Sequence, residues 1–212
     1  MTGLIFVVII VSGILYYIYP YLKIMVNNYI IDEVLNNLKK DDYQAFSNVI
    51  VKNKEGDIVL DHLIISKFGI FVINKKIFKE MYSYLVGGEE VDNWRYKIRG
   101  RVLPDRYLIG EFEETNEYYN PIQETKDYIN ILSELIETDI PNCNIKYIPI
   151  IIIIPEIKVV NVARNDDSKA KLIFASSLRR IINEYGKQIL SQTEMETIIE
   201  SVKMNSEIIL KD

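Results

Sequence analysis

Asp61, Asn74 and Lys76 are the polar side chains with most chemical promise, because each interrupts or extends a stretch that is otherwise apolar. Residues 58–66 and 69–75 are rich in Val, Ile and Phe and read as two strands joined by a tight turn at Lys67 and Phe68. A turn centred between those two residues pairs positions whose numbers sum to 135, which puts Asp61 directly across from Asn74. Lys76 lies two residues further on, so period-2 alternation places it on the same face. Polar groups on an apolar strand face need partners or a function. Spacing alone leaves two readings open, an Asp61–Lys76 ion pair near the sheet end or a reaction centre.

The elements around this hairpin are legible in outline. Ile30, Ile31, Val34, Leu35 and Leu38 recur at helical spacing and predict an amphipathic helix over about 27–40. A short strand over 46–51 and a turn at 53–57 lead into the hairpin. Residues 77–119 read as short strands and charged loops. Asn120-Pro121 opens a helix running to about Glu137, since asparagine caps well and proline suits the first turn. Residues 147–154 are almost continuously aliphatic, the pattern of a strand covered on both faces. Two helices are expected near 168–186 and 192–204, the second opened by the capping box Ser191-x-x-Glu194. This order predicts an α/β sandwich in three layers.

Before the amphipathic helix, Leu4 to Leu22 carry no charged side chain. Nineteen residues at 1.5 Å each span roughly 28 Å, about the hydrocarbon thickness of a bilayer. Tyr16, Tyr17, Tyr19 and Tyr21 gather at one end, where amphipathic rings favour the interface. A cleaved signal peptide would want a basic start and a small-residue cleavage site, and neither is present. The expectation is a single-pass anchor over 1–23. Lys23, Lys39 and Lys40 follow the segment and no lysine or arginine precedes it, which places the remainder in the cytoplasm at the cell membrane.

Composition narrows the function classes. The formal charge of −5 argues against coating nucleic acid by bulk electrostatics, although a local basic patch remains open. Cys143 is the lone cysteine and His62 the lone histidine, so no intramolecular disulfide is possible and nothing resembles a Cys/His zinc site. Arg95, Lys97, Arg99 and Arg101 alternate, which in a strand makes a one-sided basic row for phosphates or anionic lipid, or a charged guard on an edge strand. His62 falls on the face opposite Asp61.

The run Asp57-Ile58-Val59-Leu60-Asp61-His62, with Gly69 to Lys76, resembles the core of the nuclease-related domain (NERD) family. Trp94, the Asn120-Pro121 helix start and the aliphatic strand 147–154 continue the pattern in order. The resemblance implies a domain over 28–165, with helices of 166–212 packed on it. It also implies a three-layer, restriction-endonuclease-like fold with a central mixed sheet, like that of PD-(D/E)xK nucleases. There, two carboxylates hold a divalent cation, usually Mg²⁺, and a lysine orients or activates the attacking water. Asp61 and Lys76 match the family's aspartate and lysine, while Asn74 stands where the family has glutamate. The family's glutamine, three residues past the proline, is Glu124 here, with Gln123 just before it. Glu124 is thus the candidate replacement acid, with Asp61 the other metal ligand. The expected function is metal-dependent cleavage of DNA, with an inactive nuclease-like binding or scaffold module as the alternative.

Overall fold

The computed structural model describes residues 2–52, 57–78, 83–102, 110–141, 145–154, 158–163 and 169–208. Residues 2–6, 8, 9, 83, 84, 97–102, 110–115, 158–161, 163 and 208 are described by their backbone alone.

Among the described residues, ten strands form two sheets. The central six-stranded sheet contains β1 (Tyr43–Val51), β2 (Ile58–Ser66), β3 (Gly69–Ile77), β7 (Tyr147–Ile154), β9 (Lys171–Phe174) and β10 (Ser206–Ile208), in the order β10-β1-β2-β3-β7-β9. It is mixed: β1, β2 and β3 are antiparallel neighbours, whereas β3, β7 and β9 run parallel. The smaller sheet has the order β6-β5-β4-β8, from β4 (Ser83–Gly88), β5 (Asn93–Val102), β6 (Gly110–Tyr119) and β8 (Lys158–Ala163). The helices are α1 (Thr2–Asn36), α2 (Pro121–Asp139), α3 (Leu178–Asn183) and α4 (Gln192–Asn205).

Helices cover both faces of the central sheet, giving the expected layers. On one face, Ile31, Val34 and Leu35 of α1 and Leu178, Ile181 and Ile182 of α3 pack on Phe71, Ile73, Ile148, Ile150 and Ile152. On the other, Leu132 and Ile136 of α2 and Met195, Ile198 and Val202 of α4 meet Leu63, Ile65, Ile70 and Val72. The smaller sheet brings Leu85, Trp94 and Tyr96 against Ile122, Ile151 and Ile153. β7 is therefore buried on both faces, as its unbroken aliphatic run predicts.

The hairpin register is the predicted one: His62 pairs with Ile73 and Leu63 with Val72. Gly69 ends the turn at φ +130°, and a Cβ there would lie 2.5 Å from the Lys146 carbonyl oxygen, so only glycine fits.

Three expectations need correction. The stretch 168–186 is not one helix: Lys171–Phe174 is a strand, followed by a 3-10 turn at Ala175–Ser177 and the short α3. Leu172 and Phe174 pack toward the smaller sheet and Ile173 toward α1, so period 2 overrides the helical spacing there. The stretch 77–119, read as short strands and charged loops, supplies three strands of the smaller sheet, two of them ten residues long. Finally, no break separates the expected anchor from the amphipathic helix, because α1 runs continuously through Pro20 to Asn36. Among the residues whose side chains are described, which leave out 2–6, 8 and 9, no helical stretch is long and apolar enough to cross a membrane. The turn expected at 53–57 lies outside the described residues, Asp57 excepted.

Candidate active site

The hairpin presents Asp61, Asn74 and Lys76 beneath the first turns of α2, and α2 supplies the remaining groups. Two features of the sequence fix this helix start. Asn120 caps it, its Oδ1 accepting from the Ile122 amide at 2.9 Å, and Pro121 occupies the first turn, where an N–H has no helical acceptor. The Asn120 Nδ2 also donates to the carbonyls of Gly88 (3.0 Å), Glu89 (3.2 Å) and Val91 (2.7 Å). Trp94 Nε1 donates to the same Gly88 carbonyl at 2.9 Å. The β4–β5 turn is thereby fastened to α2, and the helix start cannot shift without breaking buried hydrogen bonds.

Held this way, Glu124 reaches the hairpin. Its Oε2 accepts from Asn74 Nδ2 at 3.0 Å and forms an ion pair with the Lys76 ammonium. Its Oε1 accepts from the Tyr128 hydroxyl at 2.9 Å, one helical turn further on. Asn74 is 4% exposed and also donates to Thr125 Oγ1 at 3.3 Å. Thr125 in turn donates to the Pro121 carbonyl at 2.7 Å.

Asp61 stands beside this network. Its Oδ2 accepts from the Lys75 amide at 2.6 Å, and its Oδ1 lies 3.9 Å from the Lys75 ammonium. Burial raises the Asp61 carboxyl above the ordinary aspartate range, opposed by the Lys75 amide and the charges of Lys75 and Lys76. Glu124 is close enough to add a further upward push. The Tyr128 phenol is raised by burial and by Glu124, so it is a neutral donor at physiological pH.

Asp61, Asn74, Lys76 and Glu124 are thus assembled in one place. Lys76 pairs with Glu124 rather than Asp61, and Lys75 is the lysine nearest Asp61. Gln123 is not part of this group. It points toward the β4–β5 turn and donates to the Glu89 carbonyl at 2.9 Å. Tyr128 and Thr125 escaped sequence reasoning, although the i, i+4 spacing from Glu124 to Tyr128 carries the signal for one of them.

Two carboxylates flanked by lysines suit a hard divalent cation whose other ligands are water and phosphate oxygens. Asp61 supports that fit, since its partly desolvated carboxylate would gain from a cation. Among the described residues, no cluster of three His, Cys, Asp or Glu could hold a metal ion. The fit therefore relies on Asp61 and Glu124 alone.

The basic row faces an acidic one. In the β5–β6 register Arg95 opposes Glu117, Arg99 opposes Glu113 and Arg101 opposes Glu111, with Lys97 opposite Thr115. Arg95 Nε lies 3.0 Å from Glu117 Oε1, and the side chains of Lys97, Arg99 and Arg101 lie outside the described residues. His62 is buried on the opposite face, its Nδ1 2.8 Å from Ser47 Oγ.

Residues 26–154, more than half of the chain, match the family model for NERD, the nuclease-related domain. Comparison with curated proteins and with solved structures returned no match.

Proposed function

This chain belongs to the nuclease-related domain family, and from that premise we propose that it is a membrane-anchored, metal-dependent nuclease whose second catalytic acid is Glu124. The contact between Asn74 and Glu124 carries this reading. Where the family has a glutamate on the strand and a glutamine on the helix, this chain has Asn74 and Glu124. The acid and the amide have changed sides of a single hydrogen bond, so the site retains its charge.

In this reading Asp61 and Glu124 hold a divalent cation. Such a cation would supply charge neutralisation at the phosphate and a more acidic water as the nucleophile's source. Lys76, kept in place by Glu124, directs its ammonium at the incoming water or a phosphate oxygen. Tyr128 and Asn74 fix the Glu124 carboxylate, and Lys75 fixes Asp61 through its amide. DNA is the substrate class that the family relationship favours.

The full chain, purified in detergent, is to be incubated with single- and double-stranded DNA in Mg²⁺ and in Mn²⁺. Metal-dependent cutting that is lost in both Asp61→Ala and Glu124→Gln supports the relocated acid. A specific observation favours the rival reading of an inactive binding module: three donors already engage Glu124. An inert wild type that Asn74→Glu alone switches on would establish that alternative.

The membrane part rests on α1. Leu4–Leu22 are uncharged, and Val7, Ile10, Val11, Ile14, Leu15 and Ile18 are all exposed. Apolar side chains exposed around a helix have no protein partner and suit lipid. The side chains of residues 4–6, 8 and 9 fall outside the described set. Lys23, Lys39 and Lys40 put the domain on the cytoplasmic side. Carbonate extraction of membranes from expressing cells tests this: the wild type should stay in the pellet, and an Ile10→Asp/Ile14→Asp variant should be released. Release of the wild type would remove the anchor.

A further inference from the structure

A second cleft, of about 820 Å³, lies between α2, the start of β7 and residues 187–189. Four lysines line it, Lys126, Lys146, Lys169 and Lys187, and no acidic side chain does so among the described residues. That is a marked local imbalance in a chain with formal charge −5. Lys126 is held by Glu89 at 2.8 Å, and the Lys146 ammonium lies 4.9 Å from the Tyr185 ring centre. Lys169 and Lys187 are exposed and take part in no ion pair among the described residues. The cleft wall between these cations is apolar, with Tyr147, Pro149 and Ile189 contributing flat or branched surface.

We infer that this cleft binds a nucleotide unit, its base against Tyr147, Pro149 and Ile189 and its phosphate between Lys169 and Lys187. A flat ring stacks on such a wall whatever its sequence, and an ammonium pair compensates one phosphate group. The volume falls within the range of small-ligand clefts. Both a free mononucleotide and one unit of a single strand present this chemistry. The inference does not depend on cleavage by Asp61 and Glu124.

The test is a binding titration of the full chain in detergent with EDTA, which removes metal-dependent cutting. The fluorescent probes are a labelled mononucleotide and a labelled short oligothymidylate. The variants are Lys169→Glu/Lys187→Glu and, as a control of equal charge change at exposed positions elsewhere, Arg179→Glu/Lys203→Glu. Binding weakened about tenfold or more in the first variant alone is expected. For the oligonucleotide the salt slope should also fall by about 0.7, from the one lost phosphate contact. A mononucleotide that binds identifies a free-nucleotide site, and binding of the oligonucleotide alone identifies a strand site. No binding of either probe at about 1 mM, or equal weakening in both variants, overturns the inference.

Discussion

Asn74 and Glu124, 50 positions apart in the chain, meet through a hydrogen bond of 3.0 Å from Nδ2 to Oε2. The donor is fixed by chemistry, because a carboxylate only accepts. One residue comes from a sheet strand and the other from a helix start, so the contact reports how tightly α2 is seated on β3. That seating makes the consequences of substitution specific.

Tyr128→Phe removes one donor to Glu124 and leaves the ring in place. If Glu124 is a metal ligand, loss of an outer hydrogen bond should weaken apparent metal affinity roughly 10-fold to 100-fold. Cleavage rates across a Mg²⁺ or Mn²⁺ titration read this directly, and saturating metal should restore most of the activity. An unchanged metal dependence would show that Tyr128 does not position the acid.

Asp61→Asn should stabilise the fold while abolishing cleavage. Burial raises the Asp61 carboxyl, so the folded state holds its proton more strongly than the unfolded chain. Wild-type stability attributable to this group is therefore lost as pH rises from the ordinary aspartate value of 3.8 through the higher folded value. The Tm advantage of the variant should be absent at acid pH, grow through that window and level off at neutral pH. A variant less stable than wild type at neutral pH would contradict this.

Gly87→Ala is expected to damage the domain far from the carboxylates. A Cβ at Gly87 would lie 2.5 Å from the Trp94 ring, and Trp94 is fully buried. Overpacking of this kind costs about 1–3 kcal/mol. At roughly 2–4 °C per kcal/mol for a chain of this size, Tm should fall by about 2–12 °C. Thermal denaturation followed by Trp94 fluorescence gives the answer.

Asn120→Ala removes the α2 cap and the three hydrogen bonds to the β4–β5 turn together. The cap alone is worth about 0.5–2 kcal/mol. Denaturant midpoints should drop accordingly, and cleavage should fall with them, since Glu124 sits in the first turn that Asn120 organises. Asn120→Asp keeps the cap acceptor but turns a carboxylate oxygen toward the Gly88, Glu89 and Val91 carbonyls in a fully buried site, so it should not restore the stability.

The hairpin and α2 were legible in the sequence for local reasons. Ile58–Ser66 and Gly69–Ile77 declare themselves by β-rich composition on either side of a tight turn at Lys67 and Phe68, and Asn120-Pro121 announces a helix. β5 and β6 were obscure because their charged residues alternate as a solvated loop's can, while among their described side chains only Trp94 and Tyr96 are buried. β9 was hidden because Leu172, Ile173 and Phe174 run straight into the helical residues Leu178, Ile181 and Ile182. Asp61, Asn74 and Lys76 followed from strand period. The pairing of Lys76 with Glu124 required the tertiary placement of α2, and the role of Gln123 required the β4–β5 turn.

The continuity of α1 has a mechanical meaning. At 1.5 Å per residue its 35 residues make a rod of about 52 Å. Its last turns are embedded in the domain through Ile31, Val34 and Leu35. A rod built into its load turns with it, save at Pro20, where a helical hydrogen bond is missing and the axis can bend. Whatever surface grips the turns after Pro20 therefore sets the heading of the domain, and with it that of the Asp61–Glu124 cluster.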